Sequence, residues 1–331
     1  MWIGNALRRS RAVARLISKL SVGVLGTSLF AADAPSLSGL SIVVIAPSSG
    51  DSAHVWKSVS AAVGRSITPI NTGTSDAQIF ANVESKVVAL NWALRSKWMI
   101  VWAFRGGYGV DRLMPAIVKE DYSDVPKKVL IGYSDITPLL LHMFQKYGWT
   151  VIHGPCLREV ALGTKSQRSC KALLDFLHGR TDGFVIDDLV PFNKEAAAAK
   201  EICGEITGGN LTCIVSTIGT QWQIETKGKI VLLEDTNVKG FYLDRLLTHM
   251  ANAGCFTGVV AVVLGNFGCD AGVCNVLKCF AERLKIPVYK SSLFGHEKDN
   301  MPFGYGFSGS ILRVSAKAYK VSMTSKSRLP S

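Results

Sequence analysis

The sequence predicts an α/β protein built on a parallel sheet, and three observations predict it. Short apolar runs rich in β-branched residues recur at 40–46, 98–103, 128–131, 150–153, 229–233 and 259–264. Segments with helical apolar spacing lie between them, at 76–97, 136–147, 166–178 and 242–253. Strands that alternate with helices pair in parallel, with helices covering the sheet and ligands bound beyond the carboxyl ends of the strands. The third observation is bulk: 331 residues, 48% hydrophobic and 19% charged, make a globular chain long enough for two domains.

Each element has a local reason. The run at 40–46 ends in Pro47-Ser48-Ser49-Gly50, a strand followed by its loop. The run at 98–103 leads into the flexible loop Arg105-Gly106-Gly107-Tyr108-Gly109, and the run at 128–131 into Gly132-Tyr133-Ser134-Asp135. After the strand at 150–153 and the helix at 166–178, the pattern breaks. Residues 181–203 carry Gly, Asp, Pro and four consecutive alanines, and read as a linker with a short helical piece. That boundary gives a first domain at 38–180 and a second at 204–325, which opens on Gly208-Gly209-Asn210.

Residues 1–34 differ in kind. Arg8, Arg9, Arg11, Arg15 and Lys19 precede an apolar stretch at 20–30 that is too short to span a bilayer and ends in Ala31-Ala32-Asp33-Ala34. This leader reads as an export signal or as a short amphipathic helix in transient membrane contact. Export implies the periplasm, whereas eight cysteines without a C-x-x-C pair read as core thiols and suit the cytoplasm. The net charge is +12, and +8 remains beyond the leader. Residues 300–331 hold five basic groups and no acid, yet no nucleic-acid module signature or basic run with stacking aromatics occurs, so an anionic small substrate or cell-wall polymer explains the charge at least as well as nucleic acid.

Ser134 follows a strand, stands two residues after a glycine and precedes a helix, which is how a nucleophile is lifted above a sheet edge. The same tetrapeptide also suits a simple helix cap. A serine nucleophile needs a base, and two histidines qualify: His153 at a strand end, and His296 in a polar loop bounded by glycine. The orienting carboxylate would be Glu234, at the end of an apolar strand, or its neighbour Asp235. Backbone N–H groups of Gly107 and Asp135 are candidate oxyanion donors. Nicotinamide binding is disfavoured because Arg112 stands where a third glycine belongs after Gly107-x-Gly109. Metal ligation is disfavoured because no H-E-x-x-H or paired Cys/His spacing occurs.

Seven segments in order resemble the serine LD-carboxypeptidases, the family of murein tetrapeptide carboxypeptidases and microcin-immunity peptidases. They are Ala46-Pro47-Ser48; Phe104 to Gly109 with Arg112 and Pro115; Gly132 to Thr137; His153-Gly154-Pro155; Gly208 to Leu211; Leu233-Glu234-Asp235 with Asp244-Arg245; and Phe294-Gly295-His296 with Asn300. The resemblance implies a doubly wound amino-terminal domain carrying the serine and a carboxy-terminal α/β domain carrying the other two residues of a Ser134–Glu234–His296 triad, with a cleft between them. It implies a bacterial, cofactor-free peptidase, homodimeric, that removes the terminal D-alanine of murein stem peptides. Cleavage of aminoacyl-adenylate conjugates is the alternative within the family, and peptide binding without turnover the alternative outside it. Asn266 stands where the family has glutamine or a similar residue.

Overall fold

The computed structural model describes residues 37, 39–49, 52–63, 83–268, 270–315 and 317–326. The leader at 1–34 and the first residues of the expected helix at 76–97 lie outside them. In the first half, strand β1 (Ile42–Ile45) is followed by helices α1 (Ala53–Ala62) and α2 (Val83–Arg95), then by β2 (Ile100–Ala103), α3 (Val110–Ile117) and β3 (Val129–Gly132). A short 3-10 turn, Ser134–Ile136, leads into α4 (Thr137–Tyr147), and β4 (Thr150–His153), α5 (Leu157–Leu162) and α6 (Gln167–Leu177) complete it.

The second half contains β5 (Gly183–Pro191), α7 (Lys194–Ala198), β6 (Glu201–Asn210), α8 (Leu211–Thr217), β7 (Lys229–Glu234), α9 (Gly240–Asn252) and β8 (Ala261–Leu264). Next come α10 (Ala271–Arg283), β9 (Val288–Lys290), β10 (Phe303–Gly304), β11 (Ser308–Arg313) and β12 (Tyr319–Thr324).

Strands β1 to β4 form a parallel sheet in sequence order. Every residue of β2 and β3 is buried, so helices cover both faces, which is why these strands read as unbroken apolar runs. Because the four strands run the same way, their carboxyl ends share one edge, and the loops starting at Ser48, Arg105 and Ser134 meet there with His153. The short β10, from the second half, adds to this sheet antiparallel to β4, with Phe303 opposite His153.

The carboxy-terminal sheet closes into a seven-stranded barrel in the order β11-β12-β5-β9-β8-β7-β6. Strands β6 to β9 are parallel, and antiparallel β11, β12 and β5 close the gap between β6 and β9. Residues 181–203 are therefore part of this barrel rather than a free linker. Phe184, Ile186 and Leu189 are buried while Val185 and Val190 are exposed, a nearly alternating pattern that the Asp, Gly and Pro content conceals. The basic carboxy-terminal segment likewise holds a barrel strand: Tyr319, Val321 and Met323 face the core. The described cysteines are free thiols, but only some are core residues: Cys156 and Cys255 are buried, whereas Cys203, Cys274 and Cys279 are exposed.

Candidate active site

Ser134 sits on a sharp turn. Its φ of 61° is left-handed, one of two such non-glycine residues among those described, and for an L-residue that conformation is strained by about 1–2 kcal/mol. Gly132 makes the turn possible, since a Cβ there would stand 2.9 Å from Ala103 Cβ and 3.1 Å from the Ile136 side chain. Thr137 Oγ1 then donates to the Ser134 carbonyl at 2.7 Å and fixes the start of α4.

The glycine-rich loop closes over this serine. A Cβ on Gly106 would lie 2.9 Å from Ser134 Cβ and 3.1 Å from its Oγ. Gly107 has φ 132°, and a Cβ there would fall 2.4 Å from Ser49 Oγ, so glycine alone allows this approach. Ser49 Oγ in turn accepts from the Tyr108 N–H at 3.1 Å. Asp135, buried beneath, accepts from Ser48 Oγ at 2.6 Å and from the Val110 N–H at 3.0 Å. Its carboxyl thus ties the loop after β1 to the start of α3 and holds the glycine loop in place. Burial pushes the Asp135 carboxyl above its ordinary range, against the pull of those hydrogen bonds.

The second half brings its residues to the same edge. Gly209 packs on Thr137 and the Tyr305 hydroxyl, and the Asn210 N–H donates to Thr137 Oγ1 at 3.2 Å, so the end of β6 rests on the start of α4. Glu234 ends β7 in register with Asn210. It is fully buried, and its Oε2 lies 2.7 Å from His296 Nδ1. Glu234 Oε1 is buried with no hydrogen-bond partner. Burial works to lower the His296 pKa, but the hydrogen bond and charge of Glu234 outweigh it and leave the imidazole above its ordinary value. The His296 ring lies 4.9 Å from that of Tyr133, the residue before Ser134. Ser134 Oγ makes no hydrogen bond to His296 here; in ligand-free enzymes such bonds often tighten only when substrate is bound.

His153 and Asp235 have other occupations. His153 is stacked on Phe303 at 4.4 Å, has both ring nitrogens buried without partners, and is held neutral, well below its ordinary pKa, by burial and then by nearby positive charge. Asp235 accepts from Asn210 Nδ2, the Thr212 N–H and Thr212 Oγ1, which anchors the start of α8. The structure therefore pairs His296 with Glu234 and uses the two alternatives in packing.

Three residues at the site are not picked out as functional by the sequence: Tyr133, which lies inside the 132–135 segment but has no assigned role there, and Glu159 and Lys165, which carry no signal. The Tyr133 hydroxyl donates to Glu159 Oε1 at 2.6 Å, and Lys165 Nζ lies 3.8 Å from the same oxygen. No motif spacing connects these residues, and the polar neighbours of Lys165, Thr164 and Ser166-Gln167-Arg168, give no sign of its burial.

Comparisons with known proteins identify the family and the fold. Residues 42–154 match the family model described as the LD-carboxypeptidase N-terminal domain, and residues 203–311 the LD-carboxypeptidase C-terminal domain. A putative carboxypeptidase of Rickettsia conorii is 37% identical over 318 residues, covering 93% of this chain and 98% of that protein. The murein tetrapeptide carboxypeptidase of Pseudomonas aeruginosa is 28% identical over 217 residues, 62% of this chain and 70% of that one. The structure of the microcin C7 self immunity protein MccF in its wild-type apo state shares the fold, with a TM-score of 0.71 at 20% identity, covering 90% of this chain and 99% of that one. Among the described residues no helix is long and apolar enough to cross a membrane.

Proposed function

The chain belongs to the LD-carboxypeptidase family, and from that premise we propose that Ser134, His296 and Glu234 are its nucleophile, base and orienting carboxylate, acting on murein tetrapeptides. The observation that carries this reading is the 2.7 Å contact between His296 Nδ1 and a fully buried Glu234, beside a serine held at positive φ. The enzyme is a serine carboxypeptidase. Ser134 Oγ attacks the carbonyl carbon of the bond between the L-centre of the diamino acid and the terminal D-alanine, and His296 accepts the hydroxyl proton. Backbone N–H groups of Gly107 and Asp135 face the developing oxyanion, the first presented by a loop packed on the nucleophile, the second by the 3-10 turn that Ser134 opens. His296 gives its proton to the leaving amine of D-alanine. Water then adds to the acyl-enzyme, with His296 again as base, and releases the tripeptide. Glu234 stabilises the imidazolium in both steps.

The murein assignment follows from the Pseudomonas relative and from the aromatic residues between 179 and 208. That stretch has no tryptophan or tyrosine, Phe184 is buried against Phe176 and Phe307, and Phe192 lies under Lys290. None offers an open face for an adenine ring, whose stacking is worth about 1–3 kcal/mol. Incubation with a muramoyl tetrapeptide should release one alanine, detected by mass spectrometry, and Ser134→Ala should abolish the release. No release by the wild type, or equal or higher kcat/KM on an aspartyl-adenylate analogue, would overturn the substrate assignment. The division into a nucleophile domain and a barrel domain, a homodimeric state and export through residues 1–34 complete the proposal. Sedimentation and a reporter fused after Ala34 test the last two.

A further inference from the structure

The geometry points to Lys165 as a positioning residue that fastens the loop carrying His296 to the half of the molecule carrying Ser134. Lys165 lies between α5 and α6, and its side chain is only 4% exposed. A buried ammonium persists where its three donors are used. Here Nζ donates to the carbonyl of His296 itself at 2.7 Å and to that of Glu297 at 2.6 Å, with Glu159 Oε1 at 3.8 Å. It also stands 5.2 Å over the Tyr133 ring, whose hydroxyl shares the same Glu159 oxygen. Glu159 Oε2 is held by the Cys156 N–H at 2.9 Å, so the carboxylate is anchored to the start of α5.

One cation therefore joins three things: the backbone of the base, the residue before the nucleophile and the helix beneath both. Other fasteners hold this loop farther along, the Ser166 N–H on the Lys298 carbonyl at 2.7 Å and the Asn300 N–H on Ser169 Oγ at 3.0 Å. Lys165 holds the backbone carbonyl of residue 296, while Glu234 holds its ring. Nζ is taken up by backbone carbonyls, so it acts through His296 and not on substrate. Its charge also faces the imidazole, together with Glu234 and Asp235 at the end of β7, His153 at the end of β4, Tyr133, and Glu159 behind it. Glu234 favours the protonated ring and Lys165 opposes it.

This role rests on the triad reading, which a control separates from it. Labelling by a fluorophosphonate that is absent in Ser134→Ala verifies the nucleophile in the wild type, and failure there would sink the triad and not the clamp alone. Lys165→Met keeps the apolar stem over Tyr133 and removes the charge and donors. It should lower kcat on the tetrapeptide by about 10- to 100-fold with KM within about 3-fold, the pattern of a misplaced catalytic group. The acid limb of kcat/KM should move to higher pH, because loss of the cation lets His296 hold its proton longer. Lys165→Arg should return that limb to its wild-type position and recover part of kcat, and Lys171→Met, on an exposed ion pair, should change neither. Wild-type kcat and an unmoved limb in Lys165→Met would overturn the proposal. So would a lowered melting temperature with kcat per labelled site unchanged. If Lys165→Met does not fold, Lys165→Arg decides: a fall in kcat with an unmoved limb supports the clamp, and unchanged kcat overturns it.

Discussion

Replacing Gly106 by alanine tests how tightly the glycine loop and the nucleophile are fitted. The backbone of Gly106 is not in the left-handed region, so alanine is conformationally acceptable there. The obstacle is Ser134, whose Cβ would stand 2.9 Å from the new methyl and whose Oγ 3.1 Å, against 3.4 Å where ordinary contact begins. The shortfall is 0.5 Å. Neither side yields easily. The loop is backed by Gly107 against Ser49, and the elbow is pinned by Thr137 and by the Tyr133–Glu159 hydrogen bond. The displacement must fall largely on the serine side chain, at an overpacking cost of about 1–3 kcal/mol. Moving the attacking oxygen by that much should lower kcat by about 10- to 100-fold. Urea denaturation and D-alanine release measure the two effects. A Ser134→Gly background supplies the decisive comparison, because with no side chain at 134 both close contacts disappear, the Tyr133 carbonyl oxygen at 3.5 Å is an ordinary contact, and the stability loss should vanish. Equal destabilisation in both backgrounds, or kcat within about 3-fold of wild type in the single variant, would refute the packing argument.

Ser134→Ala and Ser134→Gly should both lose at least about 10³-fold in kcat, yet only the glycine variant should be more stable, by about 1 kcal/mol, because it relieves the left-handed φ. Equal urea midpoints for the two would remove the strain. The acid limb of wild-type kcat/KM should lie above 6.5, since Glu234 raises the His296 pKa and catalysis needs the neutral ring. Glu234→Gln should move that limb down and reduce kcat by about 10³- to 10⁴-fold; a limb that moved up would contradict the pairing. His142 is buried beside Tyr147, and burial lowers its pKa from 6.5 to about 4. The unfolded chain therefore takes up this proton first as pH falls, and at most about 3 kcal/mol of stability should be lost between those values. His142→Phe should flatten that part of the pH–stability curve, leaving the further acid-side slope that buried His153 contributes, and an unchanged slope would count against the burial argument. Dialysis against EDTA should leave kcat unchanged, because nucleophile and base are both side chains.

The parts of this protein that depend on local chemistry were legible in its sequence. Apolar β-branched runs ending at 46, 103 and 153 had to be strands, and Gly132-Tyr133-Ser134 had to turn sharply, because short-range sterics and burial decide such features. Ser134 and Glu234 could be singled out as residues placed at strand ends. Local chemistry could not choose between His153 and His296, since both are histidines next to a glycine. That choice, on which the resemblance to a family had pointed to His296, rests structurally on distant pairings: Phe303 stacks on His153 and withdraws it into the core, while the loop after β9 brings His296 onto Glu234. The same reason hid β5, whose polar outward positions resemble a linker until the barrel supplies the strands on either side. Lys165 is the extreme case. Its neighbours in sequence mark it as an ordinary exposed lysine, and only the arrival of residues 296 and 297, with Glu159 and the Tyr133 ring beside them, makes a buried cation stable there. Contacts as distant along the chain as Lys165 with Tyr133 or His153 with Phe303 carry no spacing a chain can display, so the folded structure alone determines them.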